Sequence, residues 1–237
     1  MLCALRVQNL RVFFLSCPLL FSTLSLTKIV SLSLLQNALL GGTDTASAIL
    51  ECAMAELVRH PSAMSKAQEE VRRTVGEKGK VEEGDIPQLS YLKCVVMETL
   101  RLRPVAPLSY RETMDHISID GYDIPPKTRV IVNTWAIGRE AASWEKPEEF
   151  IPERFVGSTV DFRGHDFKFI PFGAGRRICP GMNLGITTVE LALANLLYAF
   201  NWELPDGKES IAMDESTGIT VFLEKGLDLK ATKSNQS

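Results

Sequence analysis

Pro171-Phe172-Gly173-Ala174-Gly175-Arg176-Arg177-Ile178-Cys179-Pro180-Gly181 places one cysteine on a loop rich in glycine and arginine, directly before an apolar helical pattern. A thiol binds metal as its thiolate, so a ligand cysteine needs cations and backbone N–H groups around it. Arg176, Arg177 and the positive end of the following helix supply that field. The glycines allow a tight backbone path that aims amides at the sulfur, and Phe172 offers an aromatic plate against it. A lone cysteine in a basic turn is more often structural. The full Phe-Gly-x-Gly-x-Arg-x-Cys-x-Gly spacing is what points to a metal cofactor held through one sulfur.

That run resembles the cysteine-loop signature of the cytochrome P-450 superfamily, the haem-thiolate monooxygenases, and is most similar to plant members of the endoplasmic reticulum. The resemblance implies that Cys179 is the axial ligand of haem b iron, with Phe172, Gly173, Gly175, Arg177 and Gly181 around the cofactor. Thiolate ligation pushes electron density onto iron and favours O–O cleavage. By the same resemblance, the reaction inserts one atom of dioxygen into an apolar small molecule such as a plant specialised metabolite. Electrons come from NADPH through a reductase partner. The location implied is the cytoplasmic face of the endoplasmic reticulum membrane, with membrane association of the full-length family member.

Working backward, Asp85-Ile86-Pro87 is expected to open a helix running to Leu102, in which Glu98 and Arg101 are three apart and share a face. Such a pair is ordinarily a surface feature worth little. Together with Pro152-Glu153-Arg154-Phe155 it resembles the family's core ion network. The resemblance makes Arg154 the third member, bridging to Glu98 through a bidentate guanidinium and locking the loop beneath the haem.

Further upstream, Asn37 to Arg59 reads as a helix ended by His60-Pro61, with Leu39, Leu40, Ala46, Ile49, Leu50, Ala53, Leu57 and Val58 on one buried stripe. Inside it lies Gly41-Gly42-Thr43-Asp44-Thr45, although each interior glycine costs about 1 kcal/mol against alanine. One reading is a glycine-rich helix start capped by Thr43 or Asp44. The other is a site where glycine admits a close neighbour and a back-bonding threonine opens a kink. The pentapeptide resembles the family's oxygen-activation motif, which gives Thr45 the role of holding dioxygen and delivering protons, Asp44 a place in the relay, and Gly42 the room over the haem. Ala46 stands where plant members often carry a further hydroxyl, so the relay differs in detail.

After Arg103-Pro104, the apolar residues Val105, Ala106 and Leu108 correspond by resemblance to a wall of the substrate pocket, as do Gly218 and Ile219 near the C-terminus. Arg111 resembles a residue that pairs with a haem propionate, as does Arg177. The alternative for Arg111 is an exposed strand charge.

The remaining pattern is mainly α with a small β component, an α+β arrangement similar to the C-terminal half of the family fold. Ser62 caps a second helix whose Lys66, Gln68, Glu69, Glu70, Arg72 and Arg73 form a solvated face, and Gly76 to Gly84 is a polar loop. Ile117–Ile119 and Tyr122–Ile124 flank Asp120-Gly121, a hairpin signal, and Arg129 to Asn133 adds a strand to a small mixed sheet. Residues 144–169 form an irregular meander. A long helix follows the cysteine loop with Leu184, Ile186, Val189, Leu191, Leu193, Leu196 and Leu197 buried. Asn201 to Leu204 and Ile219 to Leu223 read as strands.

The chain has 237 residues, 45% of them hydrophobic, and a net charge of −3, which argues against a nucleic-acid partner. Five cysteines without paired spacing indicate neither a zinc site nor a disulfide framework. Residues 37–232 carry the partial haem-thiolate domain and 233–237 a loose tail. Residues 1–36 are an atypical apolar leader, uncharged from Val12 to Thr27, which reads as a signal, an anchor or, as favoured here, a translated intron ending at Leu35-Gln36. The competing function is a truncated, catalytically inactive haem-thiolate fragment. The intron reading predicts an in-frame upstream exon in the genomic locus; spliced transcripts beginning natively at Met1 would overturn it.

Overall fold

A computed structural model describes residues 26–216 and 218–234, so most of the leader lies outside the described residues. Helix α1 spans Leu26–Arg59 and therefore starts upstream of Asn37; no proline interrupts the run. It ends where His60-Pro61 was expected to stop it. Residues 30–44 are all exposed, whereas Ala48, Ile49, Cys52, Ala53, Met54, Ala55 and Leu57 are buried. Leu39 and Leu40 thus leave the predicted stripe, because the helices that pack on α1 cover only its C-terminal part.

Helix α2 (Pro61–Val75) begins at the proline itself, which lacks the N–H that a first helical residue would leave unpaired. His60 is the N-cap, so Ser62 does not cap this helix. The Asp85 segment also differs from expectation. Glu83–Gln88 is a separate 3-10 turn closed by reciprocal Glu82 and Asp85 contacts, and Leu89 breaks it from α3 (Ser90–Leu102). The orphan N–H groups at the start of α3 are taken by Glu70, which accepts from Tyr91 N at 2.9 Å, Leu92 N at 2.9 Å and Ser90 Oγ at 3.0 Å. Glu70 is accordingly buried instead of solvated, and its charge faces the positive end of α3. Arg72, from the same charge run, donates to Phe200 O at 3.0 Å and Asn201 Oδ1 at 2.8 Å.

Among the described residues the β component consists of three antiparallel pairs, not one mixed sheet. Strand β1 (Leu108–Glu112) is followed by the β2 (Ile117–Ile119) and β3 (Tyr122–Ile124) hairpin and by β4 (Arg129–Asn133). β1 pairs with β4 from Leu108↔Asn133 to Glu112↔Arg129, while β2 and β3 pair only with each other. Asp120 and Gly121, at φ 51° and 82°, form the expected tight turn. A short helix α4 (Thr134–Ile137) leads into the meander, and α5 spans Met182–Ala199. On α5, Ile186, Val189, Leu193 and Leu197 are buried, but Leu184 is exposed. Strand β5 (Phe200–Glu203) pairs with β6 (Lys230–Lys233), so Lys233 is part of a ladder, and Ser234 N donates to Ala199 O at 2.9 Å. Ile219 to Leu223 is not a strand; only a single Glu215↔Leu223 bridge forms there.

The core lies among α1, α2, α3 and α5, where Leu57, Val71, Leu92, Val95, Leu193 and Leu197 are fully enclosed. The loop after α2 is sewn to α5 by Asn195, which accepts from Val81 N and donates to Val81 O, both at 3.1 Å. None of the helices among the described residues is long and apolar enough to cross a membrane.

Glu190 on α5 is buried beside this core, and burial is the larger influence on it, pushing its carboxyl up from an ordinary 4.5 against the opposing pull of Lys93. A carboxyl whose folded value exceeds its unfolded one holds its proton longer in the folded chain, so stability is lost as pH rises from about 4.5 through the raised value. Glu190→Gln is expected to flatten the decline in urea midpoint between pH 4.5 and neutrality; an unchanged slope counts against this assignment.

Candidate functional site

Glu98 and Arg101 meet on α3 as their spacing requires, and the surrounding fold buries both completely. Arg101 is the bidentate partner, donating Nε to Glu98 Oε2 and Nη2 to Oε1, each at 2.8 Å. Arg154 reaches Oε1 through Nε alone at 2.9 Å, so the bidentate role expected of it belongs to Arg101. Ile151 N adds a fourth bond to Glu98 Oε1, at 2.8 Å. The arginines spend their remaining donors on the meander. Arg101 donates to Gly138 O at 2.6 Å, Pro147 O at 2.7 Å and Glu149 O at 3.0 Å, and Arg154 to Glu145 O at 2.8 Å. Trp144 stacks beneath them, 5.4 Å from Arg101 Cζ and 6.0 Å from Arg154 Cζ.

That anchored meander leads into the cysteine loop. Gly173 and Gly175 take φ of 76° and 70°, conformations that disfavour any side chain. Cys179 N donates to Phe172 O at 2.9 Å, closing the loop, and the Cys179 thiol is exposed. A Cβ placed on Gly181 would lie 3.9 Å from Cys179 Sγ, which puts the sulfur beside the N-cap of α5 and its positive end. Arg111 on β1 reaches the same loop, its Nη2 donating to Arg177 O at 3.5 Å. An open cavity of about 780 Å³ lies here, lined by Tyr110, Arg111, Met114, Arg129, Arg176 and Arg177 among others. Four arginines against one carboxylate, Glu112, leave the cavity net positive, so that carboxylates of a bound group would be paired there. A sulfur donor beside a helix N-terminus and cations for two carboxylates suit haem.

The pentapeptide lies within α1, far from either end, so neither Thr43 nor Asp44 caps a helix. Thr45 Oγ1 donates back to Gly41 O at 2.6 Å and Thr43 Oγ1 to Leu39 O, yet the helix runs through them unbroken. Nothing lies within 4 Å of a Cβ added at Gly41 or Gly42, so the flank of the helix there is open. Asp44 is exposed and Thr45 half-buried. Among the described residues, no hydrogen bond or ion pair joins Asp44 or Thr45 to the cysteine loop. The two pocket segments, by contrast, are brought together: Val221 N donates to Val105 O at 2.9 Å. Thr134 Oγ1 fixes the first of them through Ala106 O at 2.8 Å and Pro107 O at 2.9 Å. Ala106, Leu108, Gly218 and Ile219 are exposed and Val105 is half-buried.

Sequence reasoning missed several residues. Gly164, at φ 79°, supports the cysteine loop from behind, since a Cβ there would stand 3.0 Å from Gly173 O and 3.1 Å from Ile178 Cδ1. A Cβ on Gly138 would collide with Arg101 O at 2.5 Å. Arg129 joins the cavity, and only the β1–β4 register, which sets it opposite Glu112, could have placed it there; Arg176, singled out with Arg177 for the field around the sulfur, lines the cavity as well.

The family model described as Cytochrome P-450 matches residues 13–231. The chain belongs to the cytochrome P-450 family. It is 60% identical to Cytochrome P-450 71A1 of Persea americana over 196 residues, 81% of this chain and 39% of that protein. Tabersonine 3-oxygenase of Catharanthus roseus is 49% identical over 203 residues, 84% of this chain and 40% of that protein. A zebrafish cytochrome P-450 structure with abiraterone superposes with a TM-score of 0.76 at 31% identity, over 84% of this chain and 46% of that one. The chain thus spans about two fifths of the length of the curated relatives it matches.

The buried network makes the cost of breaking it predictable, because removing one partner leaves a desolvated charge. Glu98→Ala and Arg101→Ala are each expected to lower unfolding free energy by about 3–5 kcal/mol in urea titration. Arg154, 10% exposed and bound to Glu98 by one bond, is expected to cost less on mutation to alanine. Equal losses for all three would contradict the geometry.

Proposed function

We propose that this chain supplies the haem-ligating and oxygen-activating part of a monooxygenase that acts on an apolar small molecule of the plant specialised-metabolite class. The observation that carries the reading is the exposed Cys179 thiol beside the α5 N-cap, on a loop that Arg111 ties to an arginine-lined cavity. Bound haem supplies dioxygen and one-electron chemistry that no side chain can provide. Cys179 would hold its iron through the thiolate. Arg111 and Arg177 would pair with its carboxylates, and Phe172, Gly173, Gly175 and Gly181 would shape the loop around the sulfur. Gly42 would leave room for it beside α1. Thr45, whose Oγ1 donates to Gly41 O, would turn that hydroxyl outward to deliver its proton, which water would restore by way of exposed Asp44. Val105, Ala106, Leu108, Gly218 and Ile219 exclude water and orient the apolar substrate. Electrons come from NADPH through a reductase, at the cytoplasmic face of the endoplasmic reticulum membrane. The name of the Catharanthus relative, an oxygenase of tabersonine, supports a specialised-metabolite substrate.

A second reading, an inactive haem-thiolate fragment, is favoured by one observation. Val30, Leu32, Leu34, Leu35, Leu39 and Leu40 stand exposed around the N-terminal part of α1. Reduced, carbon-monoxide-treated protein separates the two. A red-shifted thiolate-type Soret band that Cys179→Ser abolishes supports the first, and absence of haem uptake supports the second. An independent readout is alkylation followed by peptide mass mapping. Iodoacetamide is expected to modify exposed Cys179 in the folded chain and haemin to protect it. Buried Cys52, whose thiol burial pushes up to about 12, and buried Cys94 are expected to react only after unfolding.

A further inference from the structure

The segment from Asp214 to Leu227 closes on itself and is then gripped by α1. Ser216 N donates to Phe222 O and Glu224 N to Asp214 O, both at 2.8 Å, around the Glu215↔Leu223 bridge. The projecting end carries Gly218 and Ile219, the latter 88% exposed. On one side, Glu51 of α1 accepts from Leu227 N at 3.0 Å through Oε1 and from Leu223 N at 3.4 Å through Oε2. Gly226, at φ 65°, makes the turn that aims both amides at one carboxylate. On the other side, Arg103 at the C-cap of α3 donates Nε to buried Glu56 Oε1 at 2.9 Å and Nη1 to Glu215 Oε1 at 3.0 Å.

We propose that Glu51, with the Glu56–Arg103–Glu215 bridge, is a positioning residue that sets where the Gly218–Ile219 tip stands relative to the helix bearing Asp44 and Thr45, and thereby shapes the substrate pocket. The inference rests on the pocket reading of Gly218 and Ile219 given above. Two clamps at separate points of the stem leave it little freedom to pivot, and both originate on the rigid helix that carries the oxygen-activation motif. Leu223 packing on Cys52 and Ala55 holds the stem down, but apolar contact alone has no direction. The two amide bonds supply it. A carboxylate is the economical choice because its two oxygens answer two backbone donors that would otherwise be unpaired. The Val221 N to Val105 O bond carries the same constraint to the other pocket segment.

Hydrogen exchange on the full chain tests the clamp without any cofactor. Glu51→Ala is expected to speed exchange at Leu223 and Leu227 by roughly ten- to hundredfold, with α3 and α5 unaffected. Glu51→Gln keeps one acceptor oxygen and is expected to restore protection at one of the two amides, leaving the other as fast as in Glu51→Ala. Glu215→Ala, which alters a partly exposed side chain and leaves the helical core intact, is expected to loosen 214–224 from the opposite side and stands in if Glu51→Ala does not fold. Unchanged exchange at Leu223 and Leu227, or equal acceleration in α3 and α5, overturns the proposal. In haem-loaded chain, the Kd for 4-phenylimidazole is expected to rise roughly tenfold in Glu51→Ala at unchanged haem content, and an unchanged Kd there removes the pocket consequence. Failure to take up haem overturns the monooxygenase reading instead, and the exchange experiment still decides the clamp.

Discussion

One carboxylate, on Glu98, holds together parts of the chain that hydrophobic burial alone would leave loosely arranged. It is enclosed, and it accepts four bonds from two arginines and a backbone amide. A buried charge of this kind is tolerable only if every lone pair is answered and its counter-charges are answered in turn. That second condition makes it an organiser. Arg101 and Arg154 have further N–H groups that Glu98 cannot answer, so they draw carbonyls from Gly138, Glu145, Pro147 and Glu149. The meander is irregular for this reason: its path follows the donors of two guanidinium groups instead of a periodic ladder. Gly138 is part of the same requirement, since only a residue without Cβ can pass so close to Arg101 O.

The cysteine loop inherits its position from that arrangement. Phe155 and Phe169, at either end of the stretch following Arg154, pack with Trp144 under the arginines, their centroids 5.7 and 6.2 Å from its ring. Immediately after Phe169, Gly173 N bonds Ile170 O at 2.9 Å and the chain enters the glycine turns that set Cys179 beside the N-cap of α5. Gly164 buttresses the loop where any side chain would push it away. The ion network is therefore structural in form: it fixes the meander from which the chain runs on into the cysteine loop. Charge-assisted bonds are directional, which suits them to this task better than the surrounding apolar contacts.

Local periodicity made much of this legible. The pairs Glu98/Arg101 and Asp120/Gly121 lie within one helical turn and one hairpin, so their geometry follows from residue spacing. His60-Pro61 stops α1 for a reason confined to two residues. Errors arose where the deciding partner was distant. Glu70 reads as solvated until the start of α3 arrives over it with unpaired amides. Leu39, Leu40 and Leu184 have the right periodicity for burial, but periodicity says which side is apolar and nothing about whether a neighbour covers it.

The amino-acid sequence by itself determined the four long helices apart from some of their starts, the glycine-permitted turns of the cysteine loop and the resemblance of Cys179, Glu98, Arg101 and Arg154 to one family pattern, because each rests on short-range stereochemistry or residue type. Tertiary structure alone decided which arginine is bidentate, which carboxylates cap or clamp distant backbone, and which apolar residues are enclosed. It also brought Val105 against Val221 and Arg111 against Arg177, pairs whose separation along the chain carries no local signal. The physical reason is common to all of these. Satisfaction of a buried donor or charge is settled by whichever group the fold delivers to it, and spacing along the chain does not encode that delivery.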